Sequence, residues 1–353
     1  MDIVKLILCF SVAFGVSLAS TPLVKMLAYK IGAVDVPKDA RRVHDHPIPR
    51  LGGLAIFYGF LISILCFAVV KGQLRGIILG SLIIVALGIV DDVKQLGPKI
   101  KFAVQILVAV IVVLHGVTIK YISVPEFIVE GGILPLKWLS IPITIIWIVG
   151  VTNAVNLIDG LDGLAVGVSS IATFSLFFIA ILASEMEVAI ITAALAGACL
   201  GFLPYNFNPA KIFMGDTGST FLGFMLSVIC IQGLFKGYVV ISFIIPFLIL
   251  GLPIFDTAFA ILRRIWNKKP IMAPDRGHLH HRLMDMGFSQ KQTVAILYVI
   301  ASILALSAVV VLESGAYWAA VFVIAIIFIV FVGIKVYKPI KDANSANDKN
   351  GKQ

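Results

Sequence analysis

Charge is what this sequence has least of. Only 13% of its 353 residues are charged, while 60% are hydrophobic; a soluble domain carries about a quarter charged residues. The deficit excludes an ordinary soluble domain. Cysteine is scarce as well. Cys9, Cys66, Cys199 and Cys230 all lie inside apolar runs and form no CxxC pair, so neither a disulfide framework nor a cysteine metal site is indicated. The sequence contains no HExxH pair and no GxxxxGK[ST] loop, which removes zinc-protease and P-loop chemistry. The first apolar run, 3–23, has only Lys5 near its start and Lys25 and Lys30 after it. That order is wrong for a cleaved signal peptide and predicts an uncleaved first span.

What is present is a series of apolar runs, several about 20 residues long, each able to cross a bilayer as a helix. They cover 3–23, 51–70, 77–90, 102–114, 139–155, 164–182, 188–203, 220–234, 239–261, 293–312 and 317–336. The expected fold is therefore an all-α polytopic membrane protein of about eleven transmembrane helices. Residues 1–337 form one integral-membrane domain, followed by a disordered polar tail at 338–353. The loop 115–138 alternates and carries Pro125, Gly131, Gly132 and Pro135, which predicts a small extracytoplasmic β-hairpin.

The net charge of +9 reads as a topology signal and not as a nucleic-acid signal, because the bases cluster in short loops. Lys25, Lys30, Lys38, Arg41, Arg42 and Arg50 occupy one loop; Arg263, Arg264, Lys268, Lys269, Arg276, Arg282 and Lys291 occupy another. Both fall on one side if the spans alternate, as does the lysine-containing tail. That side is then cytoplasmic, with the N-terminus outside and the C-terminus inside. The acids Asp91, Asp92, Asp159, Asp162 and Asp216 land on the same side.

The chain is organised around 153–163, which holds Asn153, Asn156, Asp159, Gly160, Asp162 and Gly163 between two apolar runs. A carboxylate at a membrane boundary is costly unless a cation or a partner meets it. Asn153, Asn156 and Asp159 are spaced three apart, so a helix puts them roughly on one side. Asp91 and Asp92 end the third run, where two carboxylates oppose the helix dipole and invite a cation; Lys94, Lys99 and Lys101 could supply part of that charge. The segment FMGDTGS at 213–219 is rich in glycine and hydroxyls. An N-cap would use one of those polar groups, not the whole cluster. His278, His280 and His281 sit between Arg276 and Arg282, a pairing that suits a diphosphate. A basic loop on lipid headgroups is the plainer alternative. Arg50, in the Pro- and Gly-punctuated stretch before the second run, is either an ordinary positive-inside residue or part of a fixed loop. Acids able to hold Mg²⁺, with bases for the remaining phosphate charge, are the equipment of phosphoryl transfer. The residues give the reaction class and leave the substrate open.

The motifs PRLGG at 49–53, Asp91-Asp92, 153–163, 213–219 and His278-Leu-His-His281 run nearly end to end. In this order the chain resembles the polyprenyl-phosphate N-acetylhexosamine-1-phosphate transferase superfamily. The resemblance implies transfer of a sugar-1-phosphate from UDP-GlcNAc to undecaprenyl phosphate at the cytoplasmic face of a bacterial plasma membrane. Mg²⁺ is the implied cofactor, with Mn²⁺ as an alternative, and a homodimer is a further expectation. It also implies roles. Asp216 is the metal ligand, with Asn156 and Asp92 near the metal, and Asp91 is the base on the lipid phosphate. Asn156 and Asp159 lie by the nucleotide and diphosphate; Asn153 and Asp162 share that motif. Arg50, Lys101, Arg276 and the three histidines contact substrate. One-step attack by the lipid phosphate is preferred over a covalent phospho-Asp intermediate.

Within the superfamily, muramoyl-pentapeptide transferases usually carry three consecutive histidines. Here Leu279 splits the cluster, which is similar to the GlcNAc-1-phosphate branch that starts teichoic acid, O-antigen and related glycans; eleven spans instead of ten point the same way. A transporter would bury its acids in mid-span, whereas these sit at span ends. An intramembrane aspartyl protease would need glycine at position 213, which is Phe.

Overall fold

The computed structural model describes residues 2–36, 47–123, 130, 132–234, 244–268, 270 and 277–314. Twelve helices stand among them: α1 (Asp2–Ile31), α2 (Gly53–Phe67), α3 (Gln73–Lys94), α4 (Pro98–Leu114), α5 (Ser140–Leu157), α6 (Leu164–Leu182), α7 (Met186–Asn206), α8 (Gly215–Leu234), α9 (Ile244–Ile249), α10 (Gly251–Trp266), α11 (Leu279–Asp285) and α12 (Gln290–Ser314). Six apolar stretches, in α1, α3, α5, α6, α7 and α12, are long and apolar enough to cross a membrane, and α2 is apolar but shorter. The run expected at 317–336 and the tail lie outside the described residues. Two short antiparallel pairs complete the fold: β1 (Val34–Asp35) with β2 (Ile48–Pro49), and β3 (Tyr121–Ser123) with β4 (Ile133–Pro135).

Helix α8 is the axis of the bundle. It packs against α2, α3, α5 and α6. Phe221, Leu222, Phe224, Met225, Val228, Ile229 and Cys230 on it are fully buried. A helix apolar on all sides belongs in such a position. By contrast α1 leaves Ile3, Val4, Ile7, Leu8, Leu23 and Met26 exposed, a surface suited to lipid.

One run differs from its sequence reading. The stretch expected as a single span at 239–261 is broken in its described part. Helix α9 ends at Ile249, and α10 begins at Gly251 and continues to Trp266. Pro253 has no N–H and its ring crowds the carbonyl four residues back, at Ile249, so the helix restarts. Along α10, Phe255, Phe259, Leu262 and Trp266 are exposed in one stripe, while Asp256 and Arg264 turn toward protein. Such a two-sided helix lies at a lipid boundary more comfortably than across it.

Candidate active site

The site forms where the C-terminus of α3, the N-termini of α4 and α8 and the α5–α6 turn meet. Asp92 builds the joint. Its Oδ1 accepts the Asp216 N–H at 3.0 Å, and its Oδ2 accepts the Thr217 N–H at 3.0 Å and the Thr217 hydroxyl at 2.6 Å. These are N-terminal amides of α8, left without intrahelical partners. Gly215 enters this turn at φ +72, and a Cβ there would stand 2.5 Å from Asp92 Oδ2. Only glycine meets both demands. The Asp92 side chain is 1% exposed. The family resemblance puts Asp92 near the metal or the lipid phosphate; both its oxygens hold the start of α8, and the residue also borders the cleft described below.

Arg50 closes the other side of the joint. Its guanidinium donates to the backbone carbonyl of Asp92 at 3.0 and 3.2 Å and to that of Asp91 at 3.4 Å, matching a cation to a helix C-terminus. The strand β2 leads into this arrangement. Phe213 N–H donates to the Pro49 carbonyl, and Gly52 and Gly53 N–H donate to the carbonyls of Phe213 and Met214. The punctuated loop around Arg50 is therefore fixed by the same segment that starts α8.

Lys101, in the first turn of α4, places its ammonium between two carboxylates: Asp216 Oδ2 at 2.6 Å and Asp91 Oδ2 at 3.0 Å. Asp91 Oδ1 accepts the Leu96 N–H at 2.6 Å. Asn156 reaches the start of α8 through Ser219, whose hydroxyl donates to Asn156 Oδ1 at 2.7 Å. The Asp159 carboxyl is pushed up to about 8 by burial, and then by the carboxylates of Asp216, Asp92 and Asp162. Four carboxyl groups, those of Asp91, Asp92, Asp159 and Asp216, thus gather around two cations, Arg50 and Lys101, and the available ligand atoms are oxygens.

A cleft of about 300 Å³ opens beside these groups, with Asp91 and Lys101 behind its lining. Asp35, Arg50, Asn156, Asp159, Gly160, Asn206, Gly215, Asp216 and His281 line it, with Asp92 at its wall. It is as large as the smaller ligand sites of proteins.

Four further residues named from sequence stand behind the cleft lining, in contact with its supporting segments. Asn153 donates to Gln105 Oε1 on α4 at 2.6 Å and pins two helices together. Asp162 Oδ2 accepts from Asn208 Nδ2 and the Ala210 N–H, securing the segment after α7. His278 is buried and bonds through Nδ1 to Asp256 Oδ2 at 2.8 Å, while Asp256 Oδ1 accepts the Leu279 N–H. His280 is buried against Gly160, where a Cβ would stand 2.5 Å from its Nε2. Burial, then neighbouring His281, lowers its pKa to about 4, so it is a neutral imidazole. Its ring stacks near His278 and lies 4.2 Å from that of His281. Of the three histidines, His281 alone lines the cleft, and the other two support it. Arg276 lies outside the described residues.

Sequence reasoning missed Asp35, Asn206, Gln105 and Asp256. Asn206 was detectable in principle as a lone amide closing an apolar run. It accepts the Gly163 N–H and donates to the Ile212 carbonyl, tying the α5–α6 turn to the approach to α8. Asp256 is likewise a lone carboxylate in an apolar run.

Comparison with known proteins identifies the family. Residues 74–234, which hold α3 to α8, match the family described as glycosyl transferase family 4. The chain is 46% identical to the probable undecaprenyl-phosphate N-acetylglucosaminyl 1-phosphate transferase of Bacillus subtilis, over 92% of this chain and 90% of that protein. It is 36% identical to the decaprenyl-phosphate N-acetylglucosaminephosphotransferase of Mycobacterium tuberculosis, over 81% and 77%. It is 29% identical to the phospho-N-acetylmuramoyl-pentapeptide-transferase of Desulforudis audaxviator, over 86% and 96%. With matched segments that carry the joint, the ammonium bridge and the cleft, the chain belongs to glycosyl transferase family 4, within the polyprenyl-phosphate hexosamine-1-phosphate transferase superfamily.

Proposed function

We propose that this protein transfers N-acetylglucosamine-1-phosphate from UDP-GlcNAc to undecaprenyl phosphate, yielding undecaprenyl-diphosphate-GlcNAc and UMP. The reaction would be the first membrane step of a cell-wall or surface glycan such as teichoic acid or O-antigen, run on the cytoplasmic face of a bacterial plasma membrane. The observation that carries the reading is the carboxylate cluster at the mouth of the bundle, Asp91 and Asp216 bridged by Lys101. Carboxylates with a cation between them beside a cleft suit a reaction whose main demand is neutralising phosphate charge.

Mg²⁺ fits this donor set. Among the described residues no three His, Cys, Asp or Glu side chains converge as a closed metal cage, and Mg²⁺ needs none, since one or two carboxylates plus water and phosphate complete its octahedron. Asp216 would hold it, with the Asn156 amide oxygen and Asp159 adjacent. When bound, the ion would neutralise diphosphate charge.

The chain's own residues do the rest. Asp91 is the base that takes the proton of the lipid phosphate. An oxygen of that phosphate attacks the β-phosphorus of the donor, a new P–O–P linkage forms, and the bond from β-phosphorus to the bridging oxygen breaks. UMP leaves with that oxygen. Arg50 and His281 face the diphosphate across the cleft. Lys101 keeps Asp91 and Asp216 together and screens their repulsion.

The reading is tested by UMP release from UDP-GlcNAc by purified enzyme. Release should require polyprenyl phosphate and a divalent cation. Release unaffected by omitting the lipid would sink the proposed acceptor.

Topology is tested separately. Ser123→Cys and Ser289→Cys are made singly in a cysteine-free background, and intact cells are treated with an impermeant thiol reagent. The first should label and the second should be spared. The reverse pattern would place the cleft outside and remove its access to cytoplasmic UDP-GlcNAc.

A further inference from the structure

The far end of the bundle holds a second polar feature that the transfer chemistry does not use. Helix α3 begins at Gln73 and reaches Asp91 eighteen positions later, about 27 Å away at 1.5 Å per residue. Helix α8 runs the opposite way, from Asp216 to Gln232. Where they end together, Gln232 Nε2 donates to Gln73 Oε1 at 3.2 Å, and Gln73 Nε2 donates to the Gly116 carbonyl at 2.6 Å. Gln232 is only 7% exposed, and its Oε1 is buried with no hydrogen-bond partner. A buried amide oxygen without a donor is costly, and a ligand hydroxyl would satisfy it.

Gln73 and Gln232 also line a cavity of about 450 Å³. Its charged walls are Lys5 from α1, Lys71 from the α2–α3 connection and Glu187 from α7. Its remaining walls include Val69, Leu74, Met186, Ile190 and Ile191. Two ammonium groups and one carboxylate leave a local charge of plus one. At the edge of the apolar wall Val69 is exposed, and Ile190 and Ile191 are buried at its base.

We propose that this cavity is a binding site for one glycerophospholipid whose headgroup is a monoanionic phosphodiester bearing hydroxyls. The phosphodiester meets Lys5 and Lys71, its single negative charge balances the site, and acyl chains run along Val69, Leu74 and Ile190. A headgroup hydroxyl supplies the donor that Gln232 needs. A zwitterionic headgroup leaves the site's net charge uncompensated, and a free phosphate leaves the apolar wall empty. The site lies at the opposite end of the bundle from the cleft, so it stands independently of the donor and acceptor assignments.

The experiment is native mass spectrometry of the full-length protein in detergent, titrated in turn with phosphatidylglycerol, phosphatidylethanolamine, phosphatidylcholine and glycerol phosphate. One phosphatidylglycerol should be retained in preference to the two zwitterionic lipids, and glycerol phosphate should not displace it. Lys5→Ala with Lys71→Ala should weaken retention roughly tenfold or more, the scale of two ammonium groups lost from an anionic headgroup. Gln232→Leu, which keeps the volume, should weaken it less while leaving UMP release in place. Equal retention of all three lipids, or unchanged retention in the lysine double variant, would overturn the site. Displacement by glycerol phosphate would overturn a lipid as its occupant.

Discussion

Asp216→Asn is expected to lower turnover by at least about two orders of magnitude, comparable to losing one strong electrostatic contact in a preorganised site. The substitution keeps the side chain's shape. It also keeps the Asp216 N–H that donates to Asp92 Oδ1, so the start of α8 stays capped and the protein should fold. What it removes is one of the two carboxylates that Lys101 bridges and the proposed anchor for Mg²⁺. The measurement is UMP release at limiting and at saturating Mg²⁺, with a melting curve to confirm folding. Near-normal activity at limiting Mg²⁺ would end the assignment. Asp92→Ala provides the contrast. It strips acceptors from two N–H groups and a hydroxyl, and should cost roughly 0.5–2 kcal/mol of stability as a lost cap, with activity falling because the α8 terminus is no longer fixed.

Donor choice is the second large effect. The enzyme should form lipid product efficiently from UDP-GlcNAc and scarcely at all from UDP-MurNAc-pentapeptide. Arg50, Asn156, Asp159, Asp216 and His281 line the cleft, groups suited to a diphosphate and a small polar sugar. Its rim carries one histidine from a cluster that Leu279 interrupts, where the pentapeptide-using branch usually has three in a row. His281→Ala should lose most donor use, since the imidazole lines the cleft and can hydrogen-bond sugar or phosphate. His278→Ala should also lose activity, by a different route: it unpairs the buried Asp256 carboxylate and loosens the start of α11. A melting temperature lowered in His278→Ala and unchanged in His281→Ala would separate support from contact. Radiolabelled lipid product from each donor is the readout. Efficient product from the pentapeptide donor, or full activity in both alanine variants, would overturn the proposed specificity.

The sequence by itself determined the all-α membrane class and which polar segments lie at one end of the bundle. A chain with so few charges must satisfy its backbone inside helices in lipid, so acids that remain in it have to sit at span ends with partners. That logic selected Asp91, Asp92, Asn156, Asp159 and Asp216, and the structure brings all five to one end of the bundle. The same logic did not divide them by role. Spacing and residue type are identical for a carboxylate that faces a cleft and one that caps a helix; the difference is which amides stand within 3 Å. Tertiary structure alone decided that Asp92 holds α8, that Asn153 and Asp162 fasten neighbouring segments, and that His278 answers to Asp256 twenty-two positions away. The break at Leu250 has instead a local cause, Pro253, that hydropathy does not register. A hydropathy run averages over a proline, whereas a backbone must route around its missing N–H and its ring. Contacts between residues far apart in sequence leave no periodic trace, and those contacts turned a list of polar residues into an active-site arrangement.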